Sequence, residues 1–248
     1  MTIIKSSEEV AMMRRAGEVV AAVLGRLKEE IKPGIKTCQL NSVAVNELEK
    51  RGARASFKGY RGFPAHLCVS VNDEIVHGIP GERQLSEGDI VSLDFGAFVS
   101  GFHGDAAITV GVGSINSRAQ ELLAVTEAAL IGGIKAARRG AHLGDVSAAI
   151  QDYVETRGFS VIREYSGHGV GRDLHEDPLV PNFGIRGEGP ALQKGMTLAL
   201  EPMVTTGHYR TRLGENQWTV LTADGSLSAH FEHTIAISDG EPEILTLP

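Results

Sequence analysis

Cysteine, aromatic side chains and long apolar runs are all scarce in this chain of 248 residues. Its two cysteines, Cys38 and Cys68, exclude a disulfide-stabilised scaffold and favour a reducing compartment. No apolar run approaches the roughly 18 residues that span a bilayer, and no apolar segment of the kind found in secretory signals follows Lys5. We therefore expect a cytoplasmic protein that does not enter a membrane.

Basic residues are also in the minority. Lysine and arginine number 24 against 31 acidic residues, so the net charge is −7. Proteins that bind nucleic acids more often carry a basic excess, and nucleic acid is not expected as a substrate here. The apolar share of 42% and the charged share of 22% are ordinary for a globular protein and argue against disorder.

The order of helical and strand-like segments indicates an α+β protein. Strand-like residues dominate 55–110 and the chain from 160 onward. Apolar residues at helical spacing cover four segments, which are 7–31, 39–51, 117–139 and 144–157. This segregation favours helices packed beside a sheet.

The order helix, helix, strands occurs twice, and short motifs recur with it. In each half, a glycine is followed 18 residues later by the glycine of an Arg-Gly pair. A His-x-x-Pro motif comes next, and after it a glycine that lies six residues before an acid. The markers begin at Gly34, His77 and Gly88 in one half and at Gly140, His175 and Gly195 in the other. We interpret them as a duplication that builds one domain, residues 1–248, from halves of about 1–112 and 113–248. The alternative is chance recurrence of ordinary capping and turn residues.

Four carboxylates lie in otherwise apolar strand-like segments. Because successive side chains of a strand point to opposite faces, Asp94 lies on the face opposite Leu93 and Phe95. Three more acids share faces with small or polar residues in the same way, and they are Asp105, Glu201 and Glu232. Converging buried carboxylates repel one another, and bound divalent cations remove that penalty. The set therefore favours two cations, although any single acid of this kind is as often solvated or a turn cap.

The histidines fall into two groups. His77, His168 and His175 lie in turn-forming or glycine-rich segments, and Gly-His-Gly-Val-Gly around His168 leaves the backbone open to a ligand. That segment lacks the lysine of a phosphate-binding loop, and the chain lacks the Cys-x-x-Cys or His-Glu-x-x-His patterns of zinc sites. The other histidines are interpreted as surface or packing residues, and they are His66, His103, His142, His208, His230 and His233.

The complete set resembles methionine aminopeptidase of type I, in its bacterial form without an N-terminal zinc-finger extension. The similarity covers nearly the whole chain and includes Val-His-Gly-Ile-Pro, Gly-His-Gly-Val-Gly, Leu-Glu-Pro-Met and Phe-Glu-His-Thr. It implies a pseudo-twofold, duplicated "pita-bread" α/β fold with a central antiparallel sheet flanked by helices. It also implies a metallo-exopeptidase that removes the N-terminal methionine during protein maturation when the second residue is small.

The resemblance implies a role for each site residue. The family's metal ligands fall on Asp94, Asp105, His168, Glu201 and Glu232. They would hold two divalent ions, Co, Mn, Fe or Zn, whose activated water attacks the scissile carbonyl. Glu201 would accept the proton of that water, His175 would stabilise the oxyanion, and His77 would contact the scissile nitrogen. A structural monovalent cation is expected near Asn72 and Ser228.

The methionine pocket of the family falls on Tyr60, Phe63, Cys68 and Trp218, although core packing is the alternative for each. Leu174 departs from the aromatic residue that relatives often carry before the histidine, so the pocket shape is expected to differ. The implied partners are the N-termini of nascent polypeptides, with action near the ribosome, and the implied state is a monomer. Two other functions stay open, and they are Xaa-Pro hydrolysis on the same fold and a metal-free binding module. The binding module predicts that at least one metal-ligating residue is missing, whereas all five are present in the sequence.

Overall fold

Four helices in two sequential pairs lie beside an antiparallel sheet. The computed structural model describes residues 2–248. Its helices are α1 (Ser7–Glu30), α2 (Thr37–Lys50), α3 (Ser117–Ala136) and α4 (Leu143–Glu155). Each end lies within three residues of the prediction. None of the helices in the described chain is long and apolar enough to cross a membrane.

Local capping explains where the first helix of each pair begins. The Ser6 side chain accepts a hydrogen bond from the Glu9 amide, and the Glu9 carboxylate accepts one from the Ser6 amide. At the start of α3, the Asn116 side chain accepts a hydrogen bond from the Ala119 amide. These bonds satisfy amide groups that a helix leaves without a partner at its first turn.

The strands are short apart from two of ten residues. They are β1 (Arg54–Ala55), β2 (Cys68–Val71), β3 (Glu74–Val76), β4 (Ile90–Val99), β5 (Phe102–Gly111), β6 (Ser160–Val161), β7 (Ser166–Gly169), β8 (Glu176–Pro181), β9 (Thr197–Leu200), β10 (Met203–Thr205), β11 (Thr211–Leu213), β12 (Val220–Thr222), β13 (Ser228–His230), β14 (Glu232–Ala236) and β15 (Glu243–Ile244). The central sheet has the order β1-β4-β5-β14-β9-β7-β8, with β2 beside β4 and β15 beside β14. Two three-stranded sheets complete the molecule, in the orders β13-β10-β6 and β11-β12-β3. Every strand pairing in the central sheet is antiparallel, which confirms the predicted fold class.

The two pairs of helices cover the apolar side of the sheet. Side chains of β4 that alternate with Asp94, including Leu93 and Phe95, are fully buried in one core cluster with α1 and α2. In the second half, Leu198 and Leu200 are buried in a cluster with α3 and α4. The helices therefore take up the bulky faces of the strands, and the acidic faces are left for a separate space.

Matching hydrogen bonds join the turn between the helices of each pair to the loop that precedes β4 in the first half and β9 in the second. In the first half, the Gly34 amide donates to the Leu85 carbonyl at 2.7 Å, and the Leu85 amide donates to Ile35 at 2.9 Å. In the second half, Gly140 donates to Leu192 at 2.8 Å, and Leu192 donates to Ala141 at 2.7 Å. This correspondence supports our proposal that the domain consists of two related halves, with the division near residue 112.

Close packing of α1 makes one of its glycines irreplaceable. A Cβ atom on Gly17 would lie 1.9 Å from the Leu245 carbonyl oxygen, whereas one on Gly25 of the same helix would meet nothing within 4 Å. We expect Gly17→Ala to lower the free energy of unfolding by about 2 kcal/mol or more, because the backbone must move. Gly25→Ala, the matched control, should raise it by roughly 0.5–1 kcal/mol. Urea unfolding measures both, and equal effects would contradict the close contact.

Candidate metal centre

Strand register brings the five predicted ligands to one cavity. Ala107 of β5 lies opposite Asp94 of β4 on one side and opposite Glu232 of β14 on the other. Asp105 lies two residues before Ala107, so its side chain points to the same face. His168 of β7 pairs with Ala199, two residues before Glu201. All five side chains line a cavity of about 160 Å³.

The acids of this cavity lack enough partners, although Asp105 and Glu232 are buried and Asp94 and Glu201 are half-buried. Three of their oxygens have no hydrogen-bond partner among residues 2–248: Asp94 Oδ1, Asp105 Oδ1 and Glu232 Oε1. Burial raises the pKa of Asp94 to about 7. Burial, and then the neighbouring carboxylates, raise the pKa values of Asp105, Glu201 and Glu232 well above their ordinary range. A cluster of this kind is unfavourable as free carboxylates and calls for a positive charge.

His168 has a defined tautomer that suits a metal ligand. Its Nδ1 lies 2.8 Å from the Gly169 carbonyl oxygen, which can only accept, so Nδ1 carries the proton. Burial lowers the pKa of His168 to about 4, so the ring is neutral at pH 7. Nε2 therefore offers its lone pair, and it lies 3.5 Å from Glu201 Oε1. A backbone carbonyl on the distal nitrogen is the usual support for a metal-binding histidine.

The donor set fits divalent metal ions. One ligand atom each from Asp105, His168 and Glu232 lie within 4.8 Å of one another, a spacing that a single ion can bridge. Asp94 and Glu201 line the same cavity and supply further carboxylate oxygens. Carboxylates with one imidazole suit Mn, Fe, Co or Zn. Bound cations would give the three unpartnered carboxylate oxygens the partners that they lack.

His230 is a further member of the site that the sequence analysis left among the packing residues. It is 1% exposed, and neither ring nitrogen has a hydrogen-bond partner in the described chain. Its Nε2 lies 3.7 Å from Glu201 Oε2 and 3.8 Å from Glu232 Oε2. The available signal was the strand alternation that places His230 on the face of Glu232, two residues away.

The two predicted catalytic histidines line the same cavity. His175 Nδ1 lies 2.8 Å from the Tyr60 hydroxyl, and the two rings stack with centroids 5.1 Å apart. Part of the ring is open to solvent, yet desolvation and His168 lower the pKa of His175 to about 3. His77 has a φ of 61° and is edge-on to Tyr165 at 6.0 Å, and burial lowers its pKa. Both rings are neutral at pH 7.

An apolar wall of clustered side chains lines the same cavity as the acids. The predicted pocket residues Tyr60, Phe63, Cys68 and Trp218 all line it, and the rings of Phe63 and Trp218 meet edge to face at 5.2 Å. Leu174 is 2% exposed and belongs to the same wall. Three other features of the lining were not predicted from the sequence, and they are Phe57, the exposed Arg61 and the contact of Leu174 with the aromatic cluster.

Asn72 and Ser228, the predicted monovalent-cation residues, are joined directly. The Ser228 amide donates to the Asn72 carbonyl at 2.8 Å, and the Ser228 hydroxyl donates to the Val204 carbonyl at 3.1 Å. The Asn72 side chain accepts from the Ile90 amide and donates to Asp89. These contacts tie β13 to the start of β4, and the cation stays a prediction.

Comparison with known proteins gives consistent matches over the chain. The sequence model of metallopeptidase family M24 matches residues 11–239. A protein named methionine aminopeptidase from Clostridium perfringens is 51% identical over 247 residues, covering 100% of this chain and 99% of that protein. The crystal structure of methionine aminopeptidase from Thermotoga maritima has a TM-score of 0.99 at 47% identity, with 100% of both chains covered. Prolidase from Pyrococcus furiosus shares the fold, with a TM-score of 0.82 at 21% identity over 66% of its chain.

The raised pKa values predict how the stability of the metal-free protein depends on pH. Above pH 7 most histidines are neutral in both states, because the unfolded value of their pKa is about 6.5, whereas the folded acids still hold protons that the unfolded chain has released. The melting temperature of chelator-stripped protein should therefore fall over this range. Added Mn²⁺ should raise it more at the higher pH, since metal binds the deprotonated acids. Calorimetry tests both effects, and a melting temperature that rises with pH would contradict the buried-acid account.

The position of His230 predicts an effect on metal binding. Because its Nε2 faces one oxygen of each of two ligands, removing it should loosen both carboxylates. We expect His230→Leu to weaken Mn²⁺ binding by about 10- to 100-fold, and His230→Gln, which keeps a donor, to weaken it less. Isothermal titration calorimetry measures the affinity. Unchanged affinity in His230→Leu would show that the ring only packs.

Proposed function

The chain belongs to metallopeptidase family M24, and we propose that it removes the N-terminal methionine from nascent proteins. The observation that carries this proposal is the cavity itself, in which an acidic, histidine-lined end adjoins an apolar end. The full-length similarity to proteins named methionine aminopeptidase supports the same activity. The proposal includes a small second residue, action in the cytoplasm near the ribosome, and a monomer.

The acidic end would hold two divalent ions, from among Co, Mn, Fe and Zn. Their ligands would be Asp94, Asp105, His168, Glu201 and Glu232. Ions bound there supply acidity to water and polarise the carbonyl of a substrate. With ions bound, the Glu201 side chain would be a carboxylate, and it would accept the proton that this water gives up because it lines the same end of the cavity.

The two neutral histidines act on the substrate. If the Tyr60 hydroxyl donates to His175 Nδ1, the proton of His175 lies on Nε2, where it can donate to an oxyanion. The stacked Tyr60 ring fixes the plane of the imidazole. His77, half-buried with its ring edge-on to Tyr165, would contact the scissile nitrogen. Burial lowers the pKa of both rings and keeps them neutral at pH 7, a state in which each ring still has one N–H donor.

The apolar end selects the side chain of the first residue. Its walls are the rings of Phe63 and Trp218, the Cys68 thiol and Leu174. A flexible, polarizable thioether packs well against aromatic edges. A free N-terminus with methionine in this pocket has its first peptide bond beside the acids. Xaa-Pro hydrolysis lacks such support, because the similarity to prolidase at 21% identity shows the fold alone.

Peptide hydrolysis tests the proposed function. Protein stripped with chelator and restored with Mn²⁺, Co²⁺ or Fe²⁺ should release free methionine from Met-Ala-Ser and leave Ala-Pro-Ser intact. Glu201→Gln should lower kcat by about 100-fold or more, since the proton acceptor is lost. Liquid chromatography of the products measures both.

The control is Glu29→Gln, which changes an exposed glutamate paired with Arg26 on α1 and should leave the rate unchanged. Cleavage of Ala-Pro-Ser alone would assign the chain to the Xaa-Pro activity. Absence of cleavage together with absence of bound metal would favour a binding module.

A further inference from the structure

A buried ion pair joins the N-terminal segment to the loop that carries His175. The Lys5 ammonium contacts the Glu176 carboxylate, and the two side chains are only 2% and 3% exposed. Lys5 lies 171 residues from Glu176 in sequence, and Glu176 directly follows His175. Buried charges of this kind are costly unless they are paired, so each residue depends on the other.

Glu176 also holds the backbone of the loop at residues 171–176, here called the His175 loop. Its Oε1 accepts hydrogen bonds from the amide of Arg172 at 2.9 Å and from that of Asp173 at 3.3 Å. Lys5 contacts the other oxygen, Oε2. The Glu176 carboxylate therefore bonds to Lys5 through one oxygen and to two loop amides through the other. These contacts restrain the backbone of the loop on both sides of His175.

The backbone is built to let Lys5 reach this position. The Lys5 amide donates to the Gly195 carbonyl at 2.8 Å. A Cβ atom on Gly171 would lie 2.5 Å from Lys5 Cε, and one on Gly195 would lie 2.6 Å from the Lys5 carbonyl oxygen. Glycine at both positions is thus what allows the lysine to pass between the His175 loop and the segment that leads into β9.

Two weaker contacts hold the outer part of the same loop. The Arg172 guanidinium pairs with Glu9 of α1 at 2.9 Å, with the arginine side chain 63% exposed. The His103 amide of β5 donates to the Gly171 carbonyl at 2.8 Å. An exposed pair adds little, so of the two ion pairs on this loop the buried Lys5–Glu176 pair is the one whose loss costs more.

We propose that Lys5 is a positioning residue for His175. It acts through Glu176, which fixes the loop so that the imidazole meets both the Tyr60 hydroxyl and the substrate oxyanion. The role of His175 rests on the proposed function. A displacement of about 1 Å in a catalytic group can cost roughly 100-fold in rate, whereas a buried ion pair often adds no net stability over an apolar pair. Positioning is therefore the effect that distinguishes this pair from ordinary packing.

Three variants of the full-length, metal-loaded protein separate positioning from stability. Lys5→Met leaves Glu176 buried without its partner. Lys5→Met combined with Glu176→Leu removes both charges and the acceptor of the loop amides. Lys194→Met is the matched control, because this lysine lies close to Lys5 but its ion pair with Asp239 is exposed.

We expect Lys5→Met to lower kcat for Met-Ala-Ser by about 10- to 100-fold with little change in KM, since the lost interaction acts in the transition state. The double variant should regain the melting temperature of the wild type yet keep the low kcat. Amide hydrogen exchange at Arg172 and Asp173 should accelerate in both. Lys194→Met should match the wild type in every measurement.

Wild-type kcat per folded molecule in Lys5→Met, or a double variant that regains both stability and kcat, would overturn the inference. If Lys5→Met does not fold, the double variant alone decides. Failure of the proposed function is distinguishable, because the wild type would then release no methionine. Exchange at residues 172 and 173 would still report whether Lys5 holds the loop, and unchanged exchange there would overturn the proposal.

Discussion

Mutual repulsion of buried carboxylates is the constraint on which this structure depends. Three acids from separate strands and Glu201, which directly follows β9, share one small cavity, and three of their oxygens have no partner within the described residues. Such a cluster persists only if the strand register holds it against its own repulsion and if protons or bound cations neutralise it. Ala107 of β5 lies opposite Asp94 on one side and opposite Glu232 on the other, so the strand pairing fixes the positions of both acids. The long β4–β5 pairing also fixes Asp105, which lies in β5. The apolar cores on the helix side stabilise the sheet that maintains this arrangement.

The two halves contribute unequally to the site. Asp94 and Asp105 come from the first half, whereas His168, Glu201 and Glu232 come from the second. The pairing of β5 with β14 is the seam between them, because it places Glu232 in register with the strand of Asp105. Under the proposed duplication, β5 and β14 would be equivalent strands that face each other across this seam. Such a duplication does not require equivalent ligands, and of the five proposed ligands the one imidazole comes from the second half.

Local patterns predicted most of what lies within single strands and helices. The alternation around Asp94 correctly separated the acidic face from Leu93 and Phe95, because that periodicity is a property of any strand. His230 was missed although it shares a face with Glu232, since only the fold shows Glu201 meeting it from another segment. The Lys5–Glu176 pair could not be predicted, because no local rule relates residues that only tertiary packing brings together.

The apolar wall links the chemistry of the site to its choice of substrate. Cys68 of β2 lies directly opposite Asp94 of β4, so the pocket wall and the metal ligands alternate within one strand pair. Burial raises the pKa of Asp94, and this wall is part of what buries it. Under the proposed function, a methionine side chain in the pocket would desolvate the acids further and strengthen their attraction to bound cations. Selection of the first residue and activation of its peptide bond would then depend on the same wall, and a change in one is expected to alter the other.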